Sequence, residues 1–212
     1  MLKKESLYQK MLDVDSTTPK ISKKNKEKIK TFIDLALEFN KTHNIFVRKN
    51  TNEVFEKDVI DCLPLISEIP EGKLVLDLGS GGGFPGILIG ILRPKNKIHL
   101  VESSGKKCYF LKKVTSDLAL KNISVINKTI DKNNEIGKYD IVTARAFAST
   151  DKIINITKNN RKPSTKYLLL KGTLKKIKEE MSVLNTKQLT CEIIKIDNKK
   201  AERHLLKISQ NE

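Results

Sequence analysis

The sequence predicts an α/β fold in which a helical N-terminal segment precedes a largely parallel β-sheet. Three observations predict it. After residue 72, short apolar runs typical of buried strands alternate with amphipathic helical stretches. A glycine-rich turn joins the first of these runs to a helix. Before residue 72 the apolar residues follow the helical period. We therefore divide the chain into a helical extension, residues 1–72, and an α/β domain, residues 73–212.

The helical extension is predicted from the spacing of its apolar residues. In the first helix they recur at Ile29, Phe32, Ile33, Ala36 and Leu37, one face of an amphipathic helix. Ser22 is a suitable N-cap for this helix. A second helix with its own apolar stripe is predicted from about residue 53 to residue 66.

The remaining elements alternate along the chain. Strands are predicted over residues 74–76, 98–101, 124–126, 139–143, 167–170, 191–196 and 205–208. Helices are predicted over residues 86–92, 110–118, 151–158 and 174–184. This alternation predicts a parallel sheet with helices on both faces. The last two strands are joined by a short connection, which predicts an antiparallel edge.

The turn after the first strand carries the strongest functional signal. From Asp77 to Gly86 it reads DLGSGGGFPG. Glycines allow positive φ and close approach of a ligand, and open α/β sheets bind ligands at the carboxyl ends of their strands. Glu102 ends the second strand, where a carboxylate can accept hydrogen bonds from both ribose hydroxyls of an adenosine.

Two cofactor classes fit this turn. Gly81, Gly83 and Gly86 satisfy the GxGxxG pattern of dinucleotide-binding folds, which is a weak signal alone. Asp77 followed by alternating glycines gives the pattern DxGxGxG. Its carboxylate would repel a pyrophosphate but suits a cationic amino-acid head group or its bridging water. Asp77 therefore favours S-adenosylmethionine over NAD, and a glycine-rich turn without a ligand is the third interpretation.

The charge of the chain indicates a polyanionic partner. Its formal net charge of +16 attracts nucleic acid, whose binding releases counterions. The alternative is compositional drift, because the excess is mostly lysine and Ile and Asn are also abundant. The lysines of residues 23–30 form either a solvated face or an RNA contact. No apolar run approaches the ~20 residues of a membrane span, so no membrane partner is expected.

Cysteine usage and the N-terminus indicate a cytoplasmic protein. The three cysteines form no CxxC pattern and no histidine pair has metal-ligand spacing, so neither a disulfide framework nor a bound metal is expected. The N-terminus lacks the apolar core of a signal peptide. Nothing in the sequence indicates oligomerisation, so we expect a monomer.

Several motifs resemble the RsmG (GidB) family of 16S rRNA guanine-N7 methyltransferases. They are VLDLGSGGGFPGI, LVESSGKKCYFLKKV, LKNISVINKTID, YDIVTARAFAS, LLLKG and ERHLLKI, with NKTHNIFV and VIDCLPLI upstream. The resemblance spans nearly the whole chain in order. It implies an α/β, Rossmann-like class I S-adenosylmethionine-dependent methyltransferase with an N-terminal helical extension. It further implies methyl transfer to guanine N7 in the decoding-region loop of 16S rRNA, either naked or within the 30S subunit.

The resemblance also implies roles for individual residues. Asp77 and Gly81 belong to the turn already described. The other residues expected to bind the cofactor are Gly79, Phe84, Glu102, Ile130, Asp131 and Arg145. Expected RNA contacts are Lys171, Arg203 and His204, and we add Lys106 and Lys107, whose alternative is the polar start of a helix. Three positions depart from the family: Asp58 replaces a common His, Thr129 an Arg, and Asp131 a Glu.

The residues agree with N7 chemistry. Guanine N7 carries an in-plane lone pair and no proton, so we expect no catalytic acid or base, and alignment of the reactants dominates. Arg145 stays protonated and either positions the guanine or braces the cofactor site. Three rival functions remain: an RNA-binding protein without activity, an NAD-dependent oxidoreductase, and a methyltransferase acting on a small molecule or a protein.

Overall fold

The computed structural model describes residues 21–184, 188–198 and 201–211. Within them, seven strands form one sheet: β1 (Leu74–Leu78), β2 (Lys97–Glu102), β3 (Ile123–Asn127), β4 (Tyr139–Arg145), β5 (Arg161–Lys171), β6 (Leu189–Ile196) and β7 (Arg203–Gln210). The spatial order is β3-β2-β1-β4-β5-β7-β6. Strands β1 to β5 pair in parallel, and β7 lies antiparallel between β5 and β6. The predicted parallel sheet with an antiparallel edge is confirmed.

Strand β5 is the element whose length the sequence underestimates most. Its polar first half, before Tyr167, also belongs to the strand, and Lys166 pairs with Ile141 of β4. A register shift in β4 between Tyr139 and Ile141 accompanies this pairing. Polar residues around Pro163 carry no apolar signal, so the pattern predicted only the buried half.

Helices lie on both faces of the sheet. They are α1 (Lys23–His43), α2 (Thr51–Val54), α3 (Ile60–Ser67), α4 (Gly86–Leu92), α5 (Gly105–Asp117), α6 (Thr150–Ile156) and α7 (Leu174–Ser182). The Ser22 hydroxyl caps α1 by accepting the Asn25 N–H at 3.3 Å, as predicted. Asn44, in the left-handed conformation with φ of 46°, ends the helix. The part of the helical extension over residues 1–20 lies outside the described residues.

A π-helical turn, Phe55–Val59, joins α2 to α3, so residues 51–67 are helical without a break. The turn contains Asp58, which is only 2% exposed, and Asp61 follows one turn later at 3%. π-Helical turns occur often at functional sites. This one places two buried carboxylates beside the carboxyl ends of the strands.

Alternate strand residues face two hydrophobic layers. Val75 and Leu168 pack into a layer shared with α1, α3, α4 and α5, while Leu76 and Leu169 pack into a layer shared with α6 and α7. The N-terminal helices therefore share a core with the sheet. The predicted boundary between residues 72 and 73 stays a prediction. No helix in the described part of the chain is long and apolar enough to cross a membrane.

Candidate active site: a glycine cleft and a basic cavity

The predicted glycine-rich turn connects β1 to α4 and lines one side of a cleft. Gly79, Gly81 and Gly83 all adopt positive φ, of 65°, 54° and 92°. Gly79 N–H donates to the carbonyl of Val101 at 2.8 Å, which ties the turn to β2. A side chain at Gly81 would enter space in which the Gly79 carbonyl is the nearest atom, at 3.6 Å. The turn therefore presents bare backbone to a ligand.

Asp77 lies behind this turn and is 1% exposed. One carboxylate oxygen accepts the Gly86 N–H at 3.2 Å, and the other accepts the Thr143 hydroxyl at 3.1 Å. Burial raises the pKa of Asp77 to about 6. The hydrogen bonds that Asp77 makes with other described residues therefore hold the turn against β4. Its predicted contact with the cofactor stays a prediction.

Glu102 stands at the end of β2, where the sequence places it, and lines the cleft. Its Oε2 accepts the Gly81 N–H at 3.0 Å, and its Oε1 accepts the Ser104 N–H at 2.9 Å. The carboxylate is thereby fixed by the turn on one side and the start of α5 on the other. This is a suitable place to bind the two hydroxyls of a ribose.

The cavity between these elements, which we call the glycine cleft, has a volume of about 370 Å³. Of the predicted residues it brings together Gly79, Gly81, Glu102, Lys107 and Ile130. Asp131, next to Ile130, is exposed and accepts the Asn133 N–H at 2.8 Å. Lys106 is exposed on α5 and does not line the cleft.

Phe147 also belongs to the glycine cleft, and sequence reasoning missed it. Its ring lies against the Cα of Gly79 and is 40% exposed. The preceding residue, Ala146, adopts a positive φ of 50°, which is uncommon for a residue with a side chain. The tight turn after β4 therefore places an aromatic ring at the mouth of the cleft.

A second cavity, of about 390 Å³, adjoins the glycine cleft, and Ala146 lines both. We call it the basic cavity. Its charged lining residues are Arg48, Lys57, Arg145, Lys171, Lys176 and Arg203, with Asp61 and Glu180. Six cations face two carboxylates, so the cavity suits a phosphodiester or another anionic group.

Arg145 ends β4 and extends into the basic cavity. Its Nη1 donates to Asp58 Oδ1 at 2.6 Å and to the carbonyl of Lys57 at 3.3 Å. Its guanidinium carbon lies 5.4 Å from the centroid of the Phe84 ring, within cation–π range. Phe84 is 4% exposed, so it supports Arg145 from below and does not line the glycine cleft.

The two acids that line the basic cavity, Asp61 and Glu180, both form ion pairs. Asp61 accepts from Arg203 at 3.2 Å and from Asn198 at 2.7 Å, and burial raises its pKa. Glu180 accepts from Lys171 at 2.7 Å and from the Thr150 hydroxyl at 2.7 Å. Burial acts to raise the pKa of Glu180, but these hydrogen bonds hold it below its usual value.

His204 is 5% exposed, and its Nδ1 lies 2.7 Å from the carbonyl of Gly172. The ring thus joins β7 to the end of β5 and lines neither cavity. Direct contact of His204 with RNA stays a prediction, whereas Lys171 and Arg203 do line the basic cavity.

Sequence reasoning also missed Arg48, Lys57 and Lys176 as cavity residues, and it noted Asp58 without giving it a role. One signal was available. Asp58 and Asp61 are three residues apart and lie beside the apolar residues of the predicted helix, and buried acids are rare unless they are paired with basic groups. That pattern predicts basic partners for both acids, although it cannot say which.

The glycine cleft fits S-adenosylmethionine on the structure alone. The glycines leave room for a ligand beside the backbone, and Glu102 offers its carboxylate at the ribose position. The Asp77 carboxylate lies behind the turn, where its negative charge would oppose a pyrophosphate. Gly79, Gly81, Glu102 and Ile130 are the described residues that would hold the cofactor.

Two solved structures that share this fold are methyltransferases. A SAM-dependent methyltransferase from Aquifex aeolicus aligns with a TM-score of 0.60 at 14% identity, covering 82% of this chain and 97% of that one. A ribosomal protein L11 methylase from Lactobacillus delbrueckii aligns with a TM-score of 0.56 at 12% identity, covering 72% and 78%. These likenesses show that the chain has the Rossmann-like fold of S-adenosylmethionine-dependent methyltransferases.

Sequence comparison identifies the family. The GidB model, described as rRNA small subunit methyltransferase G, matches residues 25–206. A ribosomal RNA small subunit methyltransferase G from Brachyspira hyodysenteriae is 33% identical over 95% of this chain and 99% of its own length. Another, from Acinetobacter baylyi, is 32% identical over 84% of each chain. The chain belongs to the GidB family, which confirms the predicted family, the enzyme class, and S-adenosylmethionine rather than NAD as cofactor.

Proposed function

We propose that this enzyme methylates N7 of a guanine in the decoding-region loop of 16S rRNA, as a monomer in the cytoplasm. The observation that carries the proposal is the junction of the two cavities at Ala146. A guanine nucleotide in the basic cavity would adjoin a methyl donor in the glycine cleft. Family membership and the net charge of +16 support an rRNA substrate.

The protonation chemistry of the basic cavity supports N7 as the acceptor. Its two lining carboxylates, Asp61 and Glu180, are both held in ion pairs. An exocyclic amine must lose a proton during methylation, and this cavity offers no carboxylate free to accept it among the described lining residues. Guanine N7 has no proton to lose, so the arrangement is sufficient for that atom.

The cysteines do not support the alternative of C5 methylation of a pyrimidine, which needs a thiolate nucleophile. Burial raises the pKa of the Cys62 thiol, which is 0% exposed. Burial also raises the pKa of Cys108, whose Sγ donates to the Glu102 carbonyl at 3.2 Å. Burial raises the pKa of the third thiol, Cys191, as well, and none of the three lines the basic cavity.

When bound, S-adenosylmethionine supplies an electrophilic methyl group on a sulfonium. The protein would contribute orientation: Glu102 fixes the nucleoside half, and the glycine turn excludes side chains from the amino-acid half. Arg145 and the other cations of the basic cavity would hold the guanine nucleotide and its phosphates. Such alignment accounts for most of the barrier reduction when no proton is transferred.

The test is reverse-transcription mapping of 7-methylguanosine in 16S rRNA after borohydride and aniline cleavage, with and without this gene. We expect a stop in the decoding-region loop that disappears on deletion and returns with purified protein and S-adenosylmethionine. Parallel reactions on naked 16S rRNA and on 30S subunits identify the form that is used. A stop unchanged by deletion would refute the proposed substrate.

A further inference from the structure

We propose that Asp58 is a positioning residue that fixes the Arg145 guanidinium at the junction of the two cavities, in the orientation that binds the target guanine. This proposal rests on the proposed function. Asp58 contributes no atom to the lining of either cavity, so it would act on the nucleotide only through Arg145.

The contacts of Asp58 account for both of its oxygens. Oδ1 accepts Arg145 Nη1 at 2.6 Å and Arg48 Nη2 at 2.9 Å, and Oδ2 accepts Arg48 Nε at 2.7 Å. Arg48 therefore clamps the carboxylate in one plane through two parallel hydrogen bonds. Arg145 donates to the second lone pair of the same Oδ1 atom.

Arg145 is held on three sides but remains able to donate. Asp58 and the Lys57 carbonyl bind its Nη1, and the Phe84 ring lies beneath its guanidinium. Within the described part of the chain, its Nε and Nη2 donate no hydrogen bond, and its side chain is 23% exposed. Arginine recognises the O6 edge of guanine through such N–H groups.

The burial of the Asp58 carboxylate explains why the Arg145 guanidinium would keep its orientation. The Asp58 side chain is 3% exposed, and a carboxylate that leaves water needs compensating charge. Its release from the arginines would leave it buried and unpaired, so the arginines stay in place. The hydrogen bond between Asp58 and Arg145 also connects the π-helical turn to β4 across 87 residues of sequence.

The experiment uses the full chain and a double-mutant cycle of Asp58→Asn and Arg145→Gln. Single-turnover methyl transfer is measured at saturating rRNA and S-adenosylmethionine, with cofactor affinity from calorimetry and melting temperature from circular dichroism. We expect Asp58→Asn to slow transfer about 100-fold, because a misplaced binding group has an effect of this size. Cofactor affinity should change less than about threefold, since the lining of the glycine cleft is unaltered.

The cycle separates positioning from a merely structural role. With Arg145→Gln already present, Asp58→Asn should slow transfer by less than about twofold, because its effect passes through Arg145. Equal slowing in both backgrounds overturns the proposal. The matched control is Asp140→Asn, which removes an ion pair to Lys162 of 2.6 Å at the opposite end of β4. If that control slows transfer as much, the proposal is also overturned.

A second variant keeps the test valid if Asp58→Asn fails to fold. Asp58→Asn with Arg48→Gln removes one negative and one positive charge, so the buried cluster keeps its net charge. Because Arg48 itself lines the basic cavity, the reference is Arg48→Gln alone, and transfer at least about tenfold slower than in that variant supports positioning. Recovery of the rate of Arg48→Gln alone would show that Asp58 only balances charge, and would overturn the proposal.

A direct readout does not depend on methylation. In ¹⁵N relaxation experiments the Arg145 Nε–H bond should have a high order parameter in the wild type and a lower one in Asp58→Asn. Its order parameter in Asp140→Asn should equal that of the wild type. Equal mobility in wild type and Asp58→Asn overturns the proposal. If the wild type fails to methylate 16S rRNA, the proposed function fails, and this measurement still decides whether Asp58 orients Arg145.

Discussion

The two cavities at the carboxyl ends of the strands are built in different ways. The glycine cleft is made largely of backbone, from a turn that is continuous in sequence and one carboxylate at the end of β2. The basic cavity is made of long charged side chains from the N-terminal helices, β4, β5, α7 and β7. The comparison teaches that a cofactor shared by many enzymes is bound by local structure, whereas the surface for a particular substrate is assembled from distant segments.

Each cavity depends on one deeply buried aspartate with different partners. Asp77 receives a backbone N–H and a hydroxyl, neither of which carries a charge. Asp58 receives two arginines. Neutral donors compensate burial only in part, which is why the pKa of Asp77 rises to about 6. Substitutions at these sites test whether the two cavities are as independent as their construction suggests.

The largest effect is expected for Gly86→Val. A side chain at Gly86 would lie 2.5 Å from Asp77 Oδ2 and against Leu100, and both of these buried side chains would have to move. We expect a loss of about 3 kcal/mol in the free energy of unfolding, measured with urea. S-Adenosylmethionine binding should weaken more than about 100-fold by calorimetry, because the turn cannot keep its shape.

The control for this substitution is Gly172→Ala. Among the residues that the structure describes, no heavy atom lies within 4 Å of a side chain built at Gly172, and its φ is not positive. Stability and cofactor affinity should both stay close to wild type. Wild-type cofactor affinity in Gly86→Val would contradict the proposed cofactor position.

The second-largest effect is the pH dependence that Asp77 gives to the free energy of unfolding. Its folded pKa of about 6 lies above the ordinary value of 3.8, so between these two values the native state binds more protons than the unfolded state. Stability from this group is therefore present below about pH 4 and is lost as the pH rises through 6, by about 3 kcal/mol in total.

Asp77→Asn should remove this part of the pH dependence. An asparagine can still accept the Gly86 N–H, while its amide donates to the Thr143 hydroxyl oxygen. Urea unfolding between pH 4 and pH 7 should therefore show a flatter profile in the variant, with the difference largest above pH 6. Parallel profiles for variant and wild type would refute the raised pKa. A large loss of cofactor affinity in the same variant would instead support the predicted contact of Asp77 with the cofactor.

A smaller effect is expected for Glu102→Gln. In the variant, the side-chain NH₂ would face one of the two backbone N–H groups that now donate to the carboxylate, so that hydrogen bond would be lost. The amide would also bind ribose hydroxyls less strongly than the carboxylate does. We expect cofactor affinity to fall about tenfold, or about 1.4 kcal/mol, in a calorimetric titration. The control is Glu71→Gln, an exposed partner of Lys95, which should leave the affinity unchanged. An unaltered affinity in Glu102→Gln would exclude a direct ribose contact.

How far the sequence predicts the structure depends on the element. The stripe and N-cap of α1, the glycine turn and Glu102 were all predicted correctly in position, because each depends on residues close in sequence. The first half of β5 was missed, since its polar residues belong to the strand only through pairing with β4 and carry no hydrophobic pattern. Arg48 was missed because a single arginine in a polar segment is typical of a solvated surface.

The sequence by itself determined the alternation of strands and helices, the backbone shape of the cofactor turn and the excess of positive charge. Hydrophobic periodicity and glycine stereochemistry act over a few residues, so they can be recognised without the fold. Only the tertiary structure decided that Asp58 pairs with both Arg48 and Arg145, and that Phe147 covers Gly79. A buried charge is compensated by whichever opposite charge the packing brings near it. That partner comes from a segment far away in the chain, so only the tertiary structure identifies it.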